Sequence, residues 1–153
     1  MGLHTGEPVN IRVRSGKPDT GIVFVRVDLP GNPEVRINRE NITFKMRRTC
    51  LEQDGVTIET MEHFLATVYA LDIDNLRVET DKSEFPGMDG SALPLLKKLK
   101  EADIVEQDEE TTVFEVKEPI VVKEGDSSIT AFPAEKPQLE LSYTLDYKGS
   151  YFG

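Results

Sequence analysis

The dipeptide Glu62-His63 pairs the two side-chain types that metal-assisted hydrolysis requires. A histidine nitrogen can hold a metal ion, which lowers the pKa of a bound water, and a neighbouring carboxylate can then accept the proton of that water. Side chains at successive helix positions diverge by about 100°, so these two residues would divide the tasks rather than ligate one ion together. Taken alone, the dipeptide more often has a structural explanation: Glu62 is favoured by the helix dipole, and His63 packs against a sheet.

Three further side chains are candidates for chemistry. His4 lies between two glycines, which permit a close backbone approach to a site but also suit an ordinary turn. Asp89 stands in an Asp-Gly-Ser sequence that fits either a ligand contact or a turn capped by its own side chains. Cys50 has no base or cation arranged near it in the sequence, which favours a buried and inert thiol.

Composition excludes several kinds of site. Two histidines and one cysteine cannot build a zinc centre of four cysteines, of two cysteines and two histidines, or of three histidines. A net charge of −10, concentrated after residue 50, argues against binding to nucleic acid or to anionic membranes. The sequence has no glycine-rich phosphate loop, no apolar run of about 18 residues and no export leader, so we expect a soluble chain without a transmembrane segment.

The elements that position the Glu62-His63 pair follow from hydrophobic periodicity. A helix over residues 61–71, with Thr60 as N-cap, places the pair in its first turn. A second helix is predicted over residues 92–102, after a loop rich in glycine and proline. Strands are predicted at 9–14, 22–29, 35–37, 42–44, 49–51, 56–58 and 75–80, with the hairpin 49–58 turned at Asp54-Gly55. This pattern predicts an α+β domain over residues 1–105.

The remainder of the chain has a different character. Residues 101–118 contain eight acidic side chains and one lysine, which indicates a solvated linker, placed at residues 106–111. Extended runs follow at residues 113–123, 128–134 and 139–147, with no helix to cover them. Three such strands bury too little apolar surface to be stable alone, so residues 112–153 are predicted to be the incomplete start of a second domain.

Six segments stand in one order across the first 92 residues and together are more specific than any single motif. They are GLHTG (2–6), PDTGIVF (18–24), RTCL (48–51), TMEHFL (60–65), LDIDN (71–75) and EFPGMDGSA (84–92). In order and spacing they resemble the N-terminal half of the UDP-3-O-acyl-N-acetylglucosamine deacetylases, the zinc amidases of lipid A biosynthesis.

This resemblance implies two similar domains, each a two-layer sheet and helix sandwich like ribosomal protein S5 domain 2, with the active site between them. It implies that His63 is the zinc ligand of the first domain, that Glu62 is the general base and that His4 approaches the substrate. The single Zn²⁺ ion would need its other ligands from the second domain. The absent strand before Gly2 and the early end of the second domain lead us to expect an inactive fragment. Gly87 departs from the branched apolar residue usual in its loop.

The implied reaction is hydrolysis of the N-acetyl group of UDP-3-O-acyl-N-acetylglucosamine, which releases acetate. The setting would be the cytoplasm of a Gram-negative bacterium, in lipopolysaccharide synthesis, with a monomeric full-length enzyme and no nucleic-acid partner. A non-catalytic interaction module that kept the fold is the alternative. An esterase with Ser91 or Cys50 as nucleophile is a third interpretation, although neither residue has a paired base at recognisable spacing.

Overall fold

The fold is mixed α and β, as the sequence predicted. The computed structural model describes residues 1–136 and 138–146, and the contacts divide the chain into two compact units, residues 1–111 and 112–153. Unit 1 (residues 1–111) contains the two α-helices of the described chain. Its helices are α1 (Glu62–Ala70) and α2 (Leu93–Lys100), and its strands are β1 (Ile11–Ser15), β2 (Ile22–Arg26), β3 (Glu34–Arg36), β4 (Ile42–Lys45), β5 (Arg48–Gln53), β6 (Val56–Glu59) and β7 (Leu76–Thr80).

A four-stranded sheet in the order β1, β7, β2, β3 forms the larger layer of unit 1. Strand β7 runs antiparallel to β1 and parallel to β2, and Val78 lies opposite both Val13 and Phe24. The run Ile22-Val23-Phe24-Val25 is apolar throughout because β2 is an interior strand whose residues from Val23 onward are buried.

A three-stranded antiparallel sheet, in the order β4, β5, β6, leads into helix α1. Asp54 and Gly55 join β5 to β6 with φ angles of 51° and 77°, the left-handed values that a two-residue hairpin turn requires. This hairpin therefore forms where the Asp-Gly dipeptide predicted it. Strand β6 ends at Glu59, and only Thr60 and Met61 separate it from Glu62.

Three buried phenylalanine rings fix the start of α1 against the larger sheet. Phe64 of α1 lies 6.3 Å from Phe24 of β2 and 5.3 Å from Phe85, and Phe24 and Phe85 are 5.2 Å apart, measured between ring centroids. All three rings are almost completely buried. Phe24 meets both other rings edge to face, Phe64 and Phe85 are tilted by 56°, and aromatic pairs of this kind contribute about 0.5–1.5 kcal/mol each beyond burial itself. This packing also holds His63 and Glu84, which precede Phe64 and Phe85 in the sequence.

The predicted N-cap of α1 is wrong. Met61 occupies the cap position without a side-chain hydrogen bond, and the helix begins at Glu62. Thr60 instead adopts a left-handed φ of 60° and is 1% exposed. The reason is that its N–H donates to the carbonyl of Thr49 at 2.9 Å, which prolongs the pairing of β5 and β6 and turns the Thr60 side chain into the core.

Unit 2 (residues 112–153) contains one described hairpin, β8 (Ile120–Glu124) with β9 (Ser127–Ala131), joined through Gly125 and Asp126. The predicted strand at 113–123 is wrong for residues 113–119, and residues 139–146 form no strand; Tyr147 and Pro137 lie outside the described residues. Among the described residues these stretches have no partner strand, and most of their apolar side chains are exposed, as at Phe114 and Leu141. Residues 106–111 fall within unit 1, where Gln107 donates to the carbonyl of Gly16 at 3.0 Å.

Candidate functional site

Glu62 begins helix α1 and is fixed by the backbone of strand β5. Its Oε2 atom accepts the N–H of Thr49 at 3.2 Å, while the carbonyl of Thr49 accepts the N–H of Thr60. The carboxylate is half-buried, and its Oε1 atom has no hydrogen-bond partner among the described residues. A negative charge in the first turn is also stabilised by the helix dipole. Glu62 therefore presents one oxygen bound to backbone and one that can accept a proton.

His63 is half-buried rather than enclosed in the core. Its carbonyl accepts the hydroxyl of Thr67 at 2.9 Å, and the adjacent Phe64 anchors this turn of the helix in the core. In the described part of the chain, nothing hydrogen-bonds to the His63 ring. A neutral imidazole in this position retains a nitrogen for a ligand, which is the property a metal-binding histidine needs.

His4 lies on an exposed loop whose backbone is bound by a buried carboxylate. Glu84 is 3% exposed, and its Oε1 accepts the N–H of His4 at 2.7 Å. Its Oε2 accepts both the N–H and the hydroxyl of Thr5, at 2.8 and 2.6 Å. Burial alone would raise the pKa of Glu84, but the hydrogen bonds from Thr5 and His4 outweigh it and hold the pKa below its usual value.

Backbone pairing joins the His4 loop to the strand that leads into α1. The carbonyl of Ser83 accepts the N–H of Glu59, and the carbonyl of Glu59 accepts the N–H of Phe85 at 2.9 Å. The same segment pairs with the chain start, through the bridge between Gly2 and Pro86. Segment 83–87 therefore bonds both the end of β6, which leads into α1, and the chain start that carries His4.

Sequence reasoning missed a charged cluster at the end of β6. Glu59 is 9% exposed and forms ion pairs with Lys45 and with Arg48, the latter at 3.2 Å between Nε and Oε2. The pKa of Lys45 is raised, first by its hydrogen bond with Glu59. The alternation of β5 and β6 could have placed Arg48 and Glu59 at the same end of the hairpin. For Glu84, no sequence pattern indicated a buried carboxylate.

The described residues do not form a complete metal site by themselves. No three histidine, cysteine, aspartate or glutamate side chains in residues 1–136 and 138–146 converge closely enough to hold an ion. A catalytic zinc site uses three protein ligands and leaves a fourth position open. His63 can thus provide one ligand of such a site, and the described chain does not provide the other two.

The alternative nucleophiles are poorly placed for catalysis. Cys50 is fully buried, and burial raises the pKa of its thiol, as does the charge of Glu59 to a smaller degree. Ser91 donates its hydroxyl to Asp89 at 2.8 Å, and Asp89 also accepts the N–H of Ser91 at 2.9 Å. Asp89 and Ser91 therefore stabilise their own turn ahead of α2, which agrees with the prediction of a turn capped by its own side chains.

A cavity of about 730 Å³ lies away from these residues. It is lined by the end of β1, the start of β7 and the residues that follow α2, and neither Glu62, His63 nor His4 lines it. Glu62, His63 and His4 therefore lie outside this cavity.

Comparison with known proteins shows the family to which the chain belongs. A family model described as UDP-3-O-acyl N-acetylglycosamine deacetylase (LpxC) matches residues 1–153. The chain belongs to this deacetylase family. The resemblance carried by the six sequence segments is thereby confirmed.

Deacetylases of this family from several bacteria align with almost the whole chain. Proteins named UDP-3-O-acyl-N-acetylglucosamine deacetylase from Marinobacter nauticus and Saccharophagus degradans are each 38% identical to it over 152 residues, or 99% of the chain. A protein of the same name from Helicobacter pylori is 40% identical over 147 residues. The alignments cover 48–50% of these relatives, so the chain spans about half the length of the curated relatives it matches.

Neither helix of the described chain could cross a bilayer, since α1 has nine residues and α2 has eight. The structure therefore offers no membrane-spanning helix within residues 1–136 and 138–146.

Proposed function

We propose that this chain forms one half of an active site that hydrolyses the N-acetyl group of UDP-3-O-acyl-N-acetylglucosamine and releases acetate, in lipid A biosynthesis. Family membership supports the reaction, since the relatives carry that name. The observation that carries the proposal is the placement of Glu62 and His63 together in the first turn of α1, where both are half-buried. We also propose that the domain is a two-layer sandwich of sheet and helices like ribosomal protein S5 domain 2.

His63 would be one ligand of a single Zn²⁺ ion, whose other ligands come from residues outside the described chain. When bound, zinc supplies a Lewis acid that polarises the amide carbonyl and lowers the pKa of water. The half-buried imidazole without a hydrogen-bond partner among the described residues has the donor chemistry that zinc prefers. With one ligand in place of three, we expect residues 1–153 alone to be inactive.

Glu62 would act as the general base. The N–H of Thr49 binds Oε2 and orients the carboxylate, so Oε1 is the atom that accepts the proton of the attacking water. His4 would contact the substrate, with its backbone held by Glu84. We further propose a monomeric cytoplasmic enzyme for the full-length protein.

The test is acetate release by the full-length protein supplied with zinc and UDP-3-O-acyl-N-acetylglucosamine. Glu62→Gln should lower kcat by about 10²–10⁴-fold, the usual contribution of a general base. Glu52→Gln is the matched control, because Glu52 is an exposed glutamate on the neighbouring strand, and it should retain full activity. An active Glu62→Gln variant would refute the proposed base. No acetate release from the unaltered protein would favour the non-catalytic interaction module.

A further inference from the structure

The buried carboxylate of Glu84 has a role that lies outside the Glu62-His63 pair. Glutamate is rarely buried this completely unless its charge is compensated. Here the compensation comes entirely from one short segment: three donors from His4 and Thr5 bind its two oxygens. Hydrogen bonds to an ionised acceptor are stronger than neutral ones, so this carboxylate is a strong restraint on an otherwise exposed loop.

The neighbouring backbone is shaped to admit this carboxylate. A Cβ atom on Gly2 would overlap Glu84 Oε2 and would lie 2.5 Å from the Thr5 hydroxyl oxygen. A Cβ atom on Gly87 would lie 2.9 Å from Leu3 Cβ, so the absence of a side chain there lets the loop approach. Glycine at position 2 therefore permits the close approach of Glu84 and Thr5, and glycine at position 87 leaves room for Leu3.

We propose that Glu84 is a positioning residue: it holds the His4-Thr5 segment against the segment 83–87, so that the His4 side chain is presented to the substrate at the edge where α1 begins. This inference rests on the proposed function, since His4 has a role only if the site binds a substrate there. Glu84 itself touches no reacting group and acts through His4.

The anchoring can be measured without activity, by amide hydrogen exchange in the 153-residue chain. In Glu84→Gln, the amides of His4 and Thr5 should exchange at least about tenfold faster, because the amide side chain offers one acceptor oxygen in place of two. Thr5→Val should give the same change, and Thr5→Ser, which keeps the hydroxyl, should not. Unchanged exchange in both Glu84→Gln and Thr5→Val would overturn the anchoring.

The positioning role is measured in the full-length enzyme by separating KM from kcat. Glu84→Gln should raise KM about tenfold and leave kcat within about twofold, as expected when a restraint of one charged hydrogen bond is lost. A purely structural defect would instead reduce the folded fraction, which lowers apparent kcat at constant KM and would overturn the role. Glu7→Gln is the matched control: Glu7 is exposed in the same loop, pairs with Lys82 and should leave KM unchanged.

A double-mutant cycle shows whether Glu84 acts through His4. The variant carrying both His4→Ala and Glu84→Gln should have the KM of His4→Ala alone. A full additional increase from Glu84→Gln would overturn the proposal. If the unaltered full-length protein releases no acetate, the proposed function and this role in substrate binding both fail, whereas the amide-exchange result still decides whether Glu84 anchors the loop.

Discussion

Glu62 and Glu84 each accept hydrogen bonds from backbone N–H groups of another segment. In Glu62 the acceptor takes one N–H from Thr49, which leaves the other oxygen available for chemistry. In Glu84 both oxygens are occupied, by His4 and Thr5, so the group can orient a loop but cannot serve as a base. Hydrogen bonding within the described chain thus leaves one carboxylate oxygen open in Glu62 and neither in Glu84.

The lowered pKa of Glu84 gives a pH dependence whose sign can be worked out. The folded state favours the ionised form, so Glu84 contributes stability above the unfolded pKa of about 4.3, and this contribution is lost as pH falls through the folded pKa. Glu84→Gln should therefore lower the free energy of unfolding by roughly 1.5–3 kcal/mol at pH 7, and by progressively less as the pH falls below about 4. Urea denaturation of both proteins across this range measures the difference. A difference that is constant with pH would contradict the assignment.

At the scale of elements, the sequence predicted unit 1 well because its strands and helices bury one periodic face. The Asp54-Gly55 hairpin and helix α1 appear where periodicity placed them. The cap at Thr60 failed because tertiary pairing with Thr49 outweighed the local preference of threonine for an N-cap. Glu62 and His63 could be named as candidates from the sequence alone, because an adjacent glutamate and histidine are enough to suggest metal-assisted hydrolysis. The partnership of Glu84 with His4 joins residues 80 positions apart, which no local pattern reports.

The junction between β6 and α1 contains a buried hydroxyl that can be tested directly. Thr60 Oγ1 has no hydrogen-bond partner in the described chain, and a buried unsatisfied hydroxyl costs stability. Thr60→Val should therefore raise the free energy of unfolding by about 1 kcal/mol. The control is Thr67→Val, because the Thr67 hydroxyl is equally buried but bonds the His63 carbonyl; that variant should lose about 1 kcal/mol. Destabilisation by both substitutions would show that the Thr60 hydroxyl is bonded.

The two units of the molecule differ in how far their apolar residues are buried. Unit 1 encloses Phe24, Phe64 and Phe85 in a common core. In unit 2 the apolar residues of the β8–β9 hairpin are largely exposed, with Val122 62% and Ile129 76% accessible. The extended runs predicted at 113–123 and 128–134 overlap the two strands of this hairpin, but among the described residues 113–119 and 139–146 have no partner strand. The interpretation of residues 112–153 as an incomplete second domain stays a prediction.

That prediction has a direct consequence for stability. An isolated two-stranded hairpin is marginally stable, so the amides of β8 and β9 should exchange at rates close to those of an unfolded chain. Amides of the interior strand β2 and its neighbour β7 should be protected by the global stability of unit 1 and serve as the internal control. Equal protection of β8–β9 and β2–β7, with one cooperative thermal transition, would contradict the prediction.

The proposal that His63 is a zinc ligand and Glu62 the general base is tested most directly by the zinc content of the full-length protein after dialysis against a weak chelator. We expect one zinc per chain in the unaltered protein and in Glu62→Gln, because the proposed role of Glu62 is that of base and not of ligand. His63→Ala should bind zinc more than about 100-fold more weakly, since loss of a ligand should exceed the effect of losing an outer-shell partner. A His63→Ala protein that retains zinc with unaltered affinity would contradict the assignment of His63 as a zinc ligand.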